Sequence, residues 1–305
     1  MKKQFTAQEW QKIHDAFDRV GESDYGLPEI RNNSAVIGTF NIRELGEKEN
    51  RSDEAWEVLR KICSRFDLLA IQEVGDNLEG IRHLKSLLEP EPNREYGLVV
   101  SDVTGVFPGD RGNPERLAFL FRWKKIRRTE LASDISYDKS KIVEILFENR
   151  ERITRAWEDH LMALGEWNEK REIAEETGKR KPGKPPIVLP EFVTFIRQPH
   201  CASFEIIPGD GSDPLGFLAI NAHLLYGTDP AERLAEFYAL IDWLCIRAKK
   251  RDRLYYDNLI LLGDCNLEFE TMKIARTDID NHLKSLNQKV LRSYKVAKAN
   301  FPLLT

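Results

Sequence analysis

Apolar runs of strand length recur along this chain, and most of them close on a polar residue. Leu259–Leu262 are four consecutive apolar residues ended by Gly263, the pattern of a strand buried on both faces. Asp264 and Asn266 follow with one residue between them, so strand alternation puts them on the same side of the chain. Ala35–Ile42 reads as a strand that closes on Asn41, and Asp67–Val74 as one with Glu73 near its end. Tyr96–Val100 and Arg116–Phe121 are two more, the latter with Glu115 just before it. Cys201–Ile207 and Gly216–Asn221 read as a strand pair joined by the turn-rich Pro208–Pro214, the second strand ending in Asn221-Ala222-His223.

Helical periods lie between these runs. Thr6-Ala7-Gln8-Glu9 is a capping box, followed by Trp10, Ile13 and Phe17 on one face. Asp53–Phe66 carries Trp56, Leu59, Ile62 and Cys63 on one face, and a further helix turns Ile81, Leu84 and Leu88 inward. Asp229-Pro230-Ala231-Glu232 opens a long helix with Leu234, Phe237, Ile241 and Leu244 towards the core, ending in Lys249-Lys250-Arg251. From about residue 144 to 190 charges of both signs dominate, with Trp157, Leu161, Leu164 and Trp167 at helical spacing. Strand patterns resume beyond it, at Phe192–Ile196 and on to Arg197, so this stretch reads as a helical insertion in a single domain over 1–305. After Asn266 the pattern is helical, at Asp278–Leu286 and Gln288–Ala299, giving a helical C-terminal segment over about 270–305.

Composition narrows the class. The 305 residues are 41% hydrophobic and 31% charged, which is globular. A formal net charge of −4 supplies no global field for a polyanion. Two local basic stretches lean mildly towards nucleic acid: Arg122, Lys124, Lys125, Arg127 and Arg128 around Trp123, and the loop at 179–184. The four cysteines form no metal-type spacing and read as free thiols in a reducing compartment. No apolar h-region follows Met1-Lys2-Lys3, and no run approaches the roughly 20 residues of a membrane span. The expectation is a cytoplasmic protein with no membrane association.

Asn41, Glu73, Asn221, His223, Asp264 and Asn266, each at the end of a buried run, are the residue types of metal-assisted phosphoryl transfer. A hard cation such as Mg²⁺ takes oxygen ligands and keeps several waters, so one or two carboxylates suffice. Amides and a histidine can grip phosphate oxygens where charge develops.

Thr39-Phe40-Asn41-Ile42, Ile71-Gln72-Glu73-Val74, Glu115-Arg116-Leu117-Ala118-Phe119, Asn221-Ala222-His223-Leu224 and Leu262-Gly263-Asp264-Cys265-Asn266 resemble, in this order, the motifs of the endonuclease/exonuclease/phosphatase superfamily, the DNase I-like fold. The likeness spans residues 35 to 267 apart from the insertion. It implies a four-layer αββα sandwich of two mostly antiparallel sheets with the helices outside, and a site at one end of the sheets. It implies an Mg²⁺- or Mn²⁺-dependent phosphoric-ester hydrolase. By the resemblance Glu73 is the metal ligand with Asn41 beside it. Asp264 orients or activates the attacking water, and His223 contacts the scissile phosphate or leaving group. Glu115 fixes the tautomer of His223 and should lie within its reach. Asn41, Asn221, Asn266 and Arg197 contact substrate.

One departure stands out. The family's late Asp-His pair has no counterpart in a strand pattern after Asn266, and Asp280-Asn281-His282 lies in a helical, charged context. The expectation is a chain that is catalytically weak until such a pair is supplied. Three functions fit: a nuclease on DNA or RNA, a phosphatase or phospholipase-type esterase on inositol phosphates or lipid head groups, and a truncated partner-binding module. Fold alone does not choose among them.

Overall fold

The computed structural model describes residues 5–19, 34–89, 95–104, 114–136, 139–185, 195–226, 230–249, 256–267 and 277–285. Among these residues eight strands form two sheets of four. The first holds β1 (Ile37–Leu45), β2 (Leu68–Gly75), β3 (Tyr96–Val100) and β4 (Glu115–Arg122), in the order β1-β2-β4-β3. The second holds β5 (Ile126–Asp134), β6 (His200–Ile206), β7 (Leu215–His223) and β8 (Leu259–Asp264), in that order. Two pairs are parallel, β1 with β2 and β7 with β8; the other four are antiparallel.

Three apolar clusters define the layers. Ile37, Leu68, Ala70, Phe119 and Phe121 of the first sheet meet Ala202, Phe204, Phe217, Ala219, Ile260 and Leu262 of the second. The alternate residues Leu69, Ile71 and Val74 face outward to the helices α1 (Asp53–Cys63) and α2 (Glu79–Leu88), through Trp56, Cys63, Ile81 and Leu84. Leu218, Ile220 and Ala222 likewise face Phe237, Leu240 and Ile241 of a 20-residue helix at Pro230–Lys249. The result is helix, sheet, sheet, helix, as the family resemblance implies. Among the described residues no helix is long and apolar enough to cross a membrane.

The capping box closes as read, with Thr6 N–H donating to Glu9 Oε2 at 2.8 Å and Glu9 N–H to Thr6 Oγ1 at 3.3 Å. The insertion is helical over Lys139–Glu148 and Arg150–Glu176. The Gln288–Ala299 helix, the Asp229 cap and most of Phe192–Ile196 lie outside the described residues.

Three readings change. Leu259–Leu262 is half-buried, not buried: β8 pairs with β7 on one side only and is an edge strand among the described residues. Its two faces are covered, Ile260 and Leu262 by the other sheet and Leu259 and Leu261 by the helices. The basic cluster at 122–128 spans the short turn that carries the chain from β4 of the first sheet into β5 of the second, a strand the charges concealed. Those cations are also largely answered, Arg122 by Asp67, Lys124 by Glu95 and Arg127 by Glu205.

Candidate active site

Along five of the strands the residues that face the opposite sheet turn from apolar to polar at one end. Ile37 gives way to Asn41, Ala70 to Gln72, Phe119 to Glu115, Ala219 to Asn221 and His223, and Leu262 to Asp264. The parallel pairs bring the last residues of β1 and β2, and of β7 and β8, to the same end. The antiparallel neighbours contribute their first residues there, Glu115 of β4 and His200 of β6.

Glu73 reaches this space by a local backbone device. Alternation would send it outward with Leu69 and Ile71. At Glu73 the register with both neighbouring strands shifts, and its φ is +58°. Such a bulge re-aims a side chain, and a left-handed glutamate is strained, as residues at functional sites often are. Its carboxylate is held at both oxygens. Asn41 Nδ2 donates to Oε1 at 2.9 Å, and the Glu44 N–H donates to Oε2 at 2.9 Å. The same Asn41 Nδ2 donates to Asp264 Oδ2 at 2.9 Å, so one amide joins two carboxylates from two sheets. Asn41 Oδ1 is buried without a partner.

Asp264 is fixed at its other oxygen by the N–H of Asn266, at 2.9 Å. Asn266 is itself left-handed, φ +49°, and its side-chain amide donates to Leu224 O at 2.8 Å. Gly263 makes the close approach possible. It has φ +142°, and a Cβ there would stand 2.0 Å from Ala222 O.

His223 and Glu115 form the second half of the site. His223 Nδ1 lies 2.6 Å from Glu115 Oε1, and the pair is nearly closed to solvent. Glu115 Oε1 also pairs with Arg197. Arg197 therefore lies behind the carboxylate, with a second contact to Leu224 O, and backs the dyad where the sequence suggested a substrate contact.

Asn221 is likewise corrected. It is 0% exposed, its Oδ1 accepts from Gln72 Nε2 at 2.6 Å, and its Nδ2 donates to Ile71 O and Ala118 O at 3.1 and 3.0 Å. It is saturated by the opposite sheet and fastens the two sheets together just beneath the site. His282 also lies apart, bonded to Asp242 at 3.1 Å and packed on Tyr238.

Other residues escaped the sequence reading. Arg233 Nη1 donates to Asn266 O at 3.0 Å, and Glu236 accepts the N–H groups of Ile196 and Leu225. Burial pushes the Glu236 carboxyl above its ordinary value, with those N–H groups opposing. Both side chains lie on the buried face of their helix, where charge is a signal in itself. His200 Nδ1 pairs with Asp134 Oδ1 at 2.7 Å as a second acid–histidine pair in the inter-sheet layer. A cavity of about 480 Å³ opens beside Asn41 and Asp264, with Phe237, Leu267 and Ile279 on its apolar wall.

The donor set of Asn41, Glu73 and Asp264 is all oxygen, carries two negative charges and includes a buried oxygen with no partner. It fits a hard divalent cation that keeps part of its water shell.

No family model matches the chain. It is 25% identical over 234 residues to a deoxyribonuclease of Thioalkalivibrio sp. (strain K90mix), a match covering 76% of this chain and 46% of that protein. It is 35% identical over 91 residues to deoxyribonuclease-1 of Equus caballus, covering 29% of this chain and 30% of that one. The matched stretches thus span less than half the length of either relative. Similar solved structures include an endonuclease/exonuclease/phosphatase family protein from Leptotrichia buccalis C-1013-b, with TM-score 0.43 and 13% identity over 82% of this chain and 73% of that one. The human Nocturnin catalytic domain is similar at TM-score 0.42 and 14% identity, over 80% and 68%. The five motifs in order and the paired four-stranded sheets resemble the endonuclease/exonuclease/phosphatase fold, and this chain is similar to a deoxyribonuclease over three quarters of its own length and just under half of that protein's.

Proposed function

We propose that this chain hydrolyses phosphodiesters of nucleic acid, with Mg²⁺ or Mn²⁺ held by Glu73 and Asn41 and in contact with Asp264. The observation that carries the reading is the single amide of Asn41 that joins Glu73 to Asp264 and keeps an unpartnered buried oxygen. Two carboxylates joined by one neutral amide point to a cation between or beside them. The bound cation would draw charge from a phosphate oxygen in the transition state.

The protein's own groups supply the rest. Asp264, held at one oxygen by the Asn266 N–H, would orient the attacking water and take its proton. The Glu115 carboxylate accepts from His223 Nδ1, which leaves Nε2 to meet the phosphate or the leaving oxygen. Water attacks phosphorus, the ester P–O bond breaks, and the departing oxygen takes a proton. The deoxyribonuclease relative supports nucleic acid as the substrate class.

The test is a panel of plasmid, single-stranded DNA, RNA and inositol phosphates with Mg²⁺, Mn²⁺ or EDTA, on the wild type and Asp264→Ala. Metal-dependent cleavage of a nucleic acid, lost in Asp264→Ala, is expected. Turnover of inositol phosphates alone would move the chain to the phosphatase class. Silence in every arm, with the fold intact, would make it a binding module.

A further inference from the structure

We propose that Arg51 is a positioning residue that sets the Glu73 carboxylate through the backbone of Glu44. Its functional consequence rests on the reading of Glu73 as the metal ligand. The guanidinium reaches two consecutive carbonyls: Nη1 donates to Glu44 O at 3.0 Å, and Nη2 donates to Arg43 O. In an extended strand consecutive carbonyls point to opposite sides, so one planar group could not bind both. Here Glu44 is left-handed, with φ +52°, which brings the two carbonyls within reach of one fork. That conformation also turns the Glu44 N–H onto Glu73 Oε2. The clamp therefore stabilises the strained residue that holds the ligand's second oxygen.

The fork is anchored in turn. Its carbon lies 5.6 Å from the ring centroid of Trp56, which is 1% exposed and donates through Nε1 to Lys48 O at 3.0 Å. Trp56 meets His83 edge-on at 4.8 Å. The loop that follows Glu44 is seated by backbone contact, with the Gly80 N–H donating to Gly46 O at 2.7 Å. A Cβ on Gly80 would stand 2.4 Å from that oxygen. Loop, helix and clamp thus form one chain of contacts from the outer layer to Glu73. A lysine in place of Arg51 brings a point charge without the fork and cannot bridge two carbonyls in this geometry.

The experiment compares the wild type with Arg51→Lys and Arg51→Ala by three readouts: exchange of the Glu44 amide in the metal-free protein, Mn²⁺ affinity by titration, and hydrolysis as a function of Mn²⁺ concentration. Glu44 exchange should rise about tenfold or more in both variants, while core amides keep their protection. Loss of a partner that orients a ligand costs about 10–100-fold in metal affinity. The same loss is expected here, with hydrolysis recovering at raised Mn²⁺. Recovery by added metal separates mispositioning from general damage to the fold. Unchanged Glu44 exchange and unchanged Mn²⁺ affinity in both variants would overturn the proposal. If the wild type binds no Mn²⁺ while Glu44 exchange still rises in the variants, the clamp stands and the metal reading of Glu73 falls.

Discussion

Glu115 and His223 lie on different sheets and meet across the gap between them, Oε1 to Nδ1, at 2.6 Å. The carboxylate serves two partners, because Arg197 pairs with the same oxygen. The two faces of this arrangement predict different outcomes. Glu115→Gln takes from Arg197, whose side chain is 12% exposed, its direct carboxylate partner, and breaking a pair this enclosed costs up to about 3–5 kcal/mol. Urea unfolding should show it. His223→Asn leaves the Glu115–Arg197 pair intact and should lower hydrolysis by about 10²–10⁴-fold with a much smaller change in stability. Equal stability loss in the two variants would contradict this division.

Asn41 is the hinge of the metal reading. Asn41→Ala removes the shared donor from Glu73 and Asp264 and sets the carboxylates free to separate. A drop in Mg²⁺ affinity of about 10–100-fold is expected by calorimetric titration, together with lower hydrolysis. Glu73→Gln, which keeps shape and removes charge, should weaken binding at least as much. Equal metal affinity in the wild type and Glu73→Gln would make Glu73 structural.

Asn221 gives a prediction of the opposite kind. Asn221→Leu fills a similar volume but leaves Ile71 O, Ala118 O and Gln72 Nε2 without their partner. Buried groups left in this state cost about 1–3 kcal/mol each. Chemical denaturation should register a loss of at least about 3 kcal/mol. A variant as stable as the wild type would mean that the cross-sheet amide contributes little.

The thiols predict a pH dependence. Burial pushes Cys63 up to about 12 and Cys201 up to about 11, from an ordinary value of 9.0. Between 9.0 and those values the unfolded chain loses the proton while the folded one keeps it, so stability is full below 9.0 and falls as pH rises. The slope is about 1.4 kcal/mol per pH unit for each thiol. Urea titrations from pH 8 to pH 11 on the wild type and Cys63→Ala should show a shallower decline in the variant. In the native protein at pH 8 both thiols should resist alkylation.

The sequence carries much of this architecture because the same apolar runs that make the strands also mark their ends. Asn41, His223 and Asp264 are legible in this way, and alternation puts each on the inner face. Glu73 is legible as a residue type and not as a direction. Its turn to the inner face depends on a left-handed bulge, and no local pattern announces φ > 0 at a glutamate. Strand β5 was hidden for a similar reason. Its outward residues are charged, and a register shift between Arg128 and Ala132 breaks the period of two. That β8 has a single neighbour among the described residues could not be read, since an apolar run of four looks the same with one neighbour or two.

The Gln72–Asn221 pair crosses the sandwich at the level where its interior changes from apolar to polar. Both side chains are 0% exposed and spend their hydrogen bonds on each other and on the surrounding protein. Such a pair works as a bulkhead. Water that enters with an ion or a phosphate finds Gln72 and Asn221 already engaged, and the apolar side chains of Phe119 and Phe204 lie beyond them. Hydration of the polar end can then rise and fall while the far half stays dry. The chain can thus tolerate substitutions that make the mouth wetter or more charged, provided the bulkhead itself is left in place.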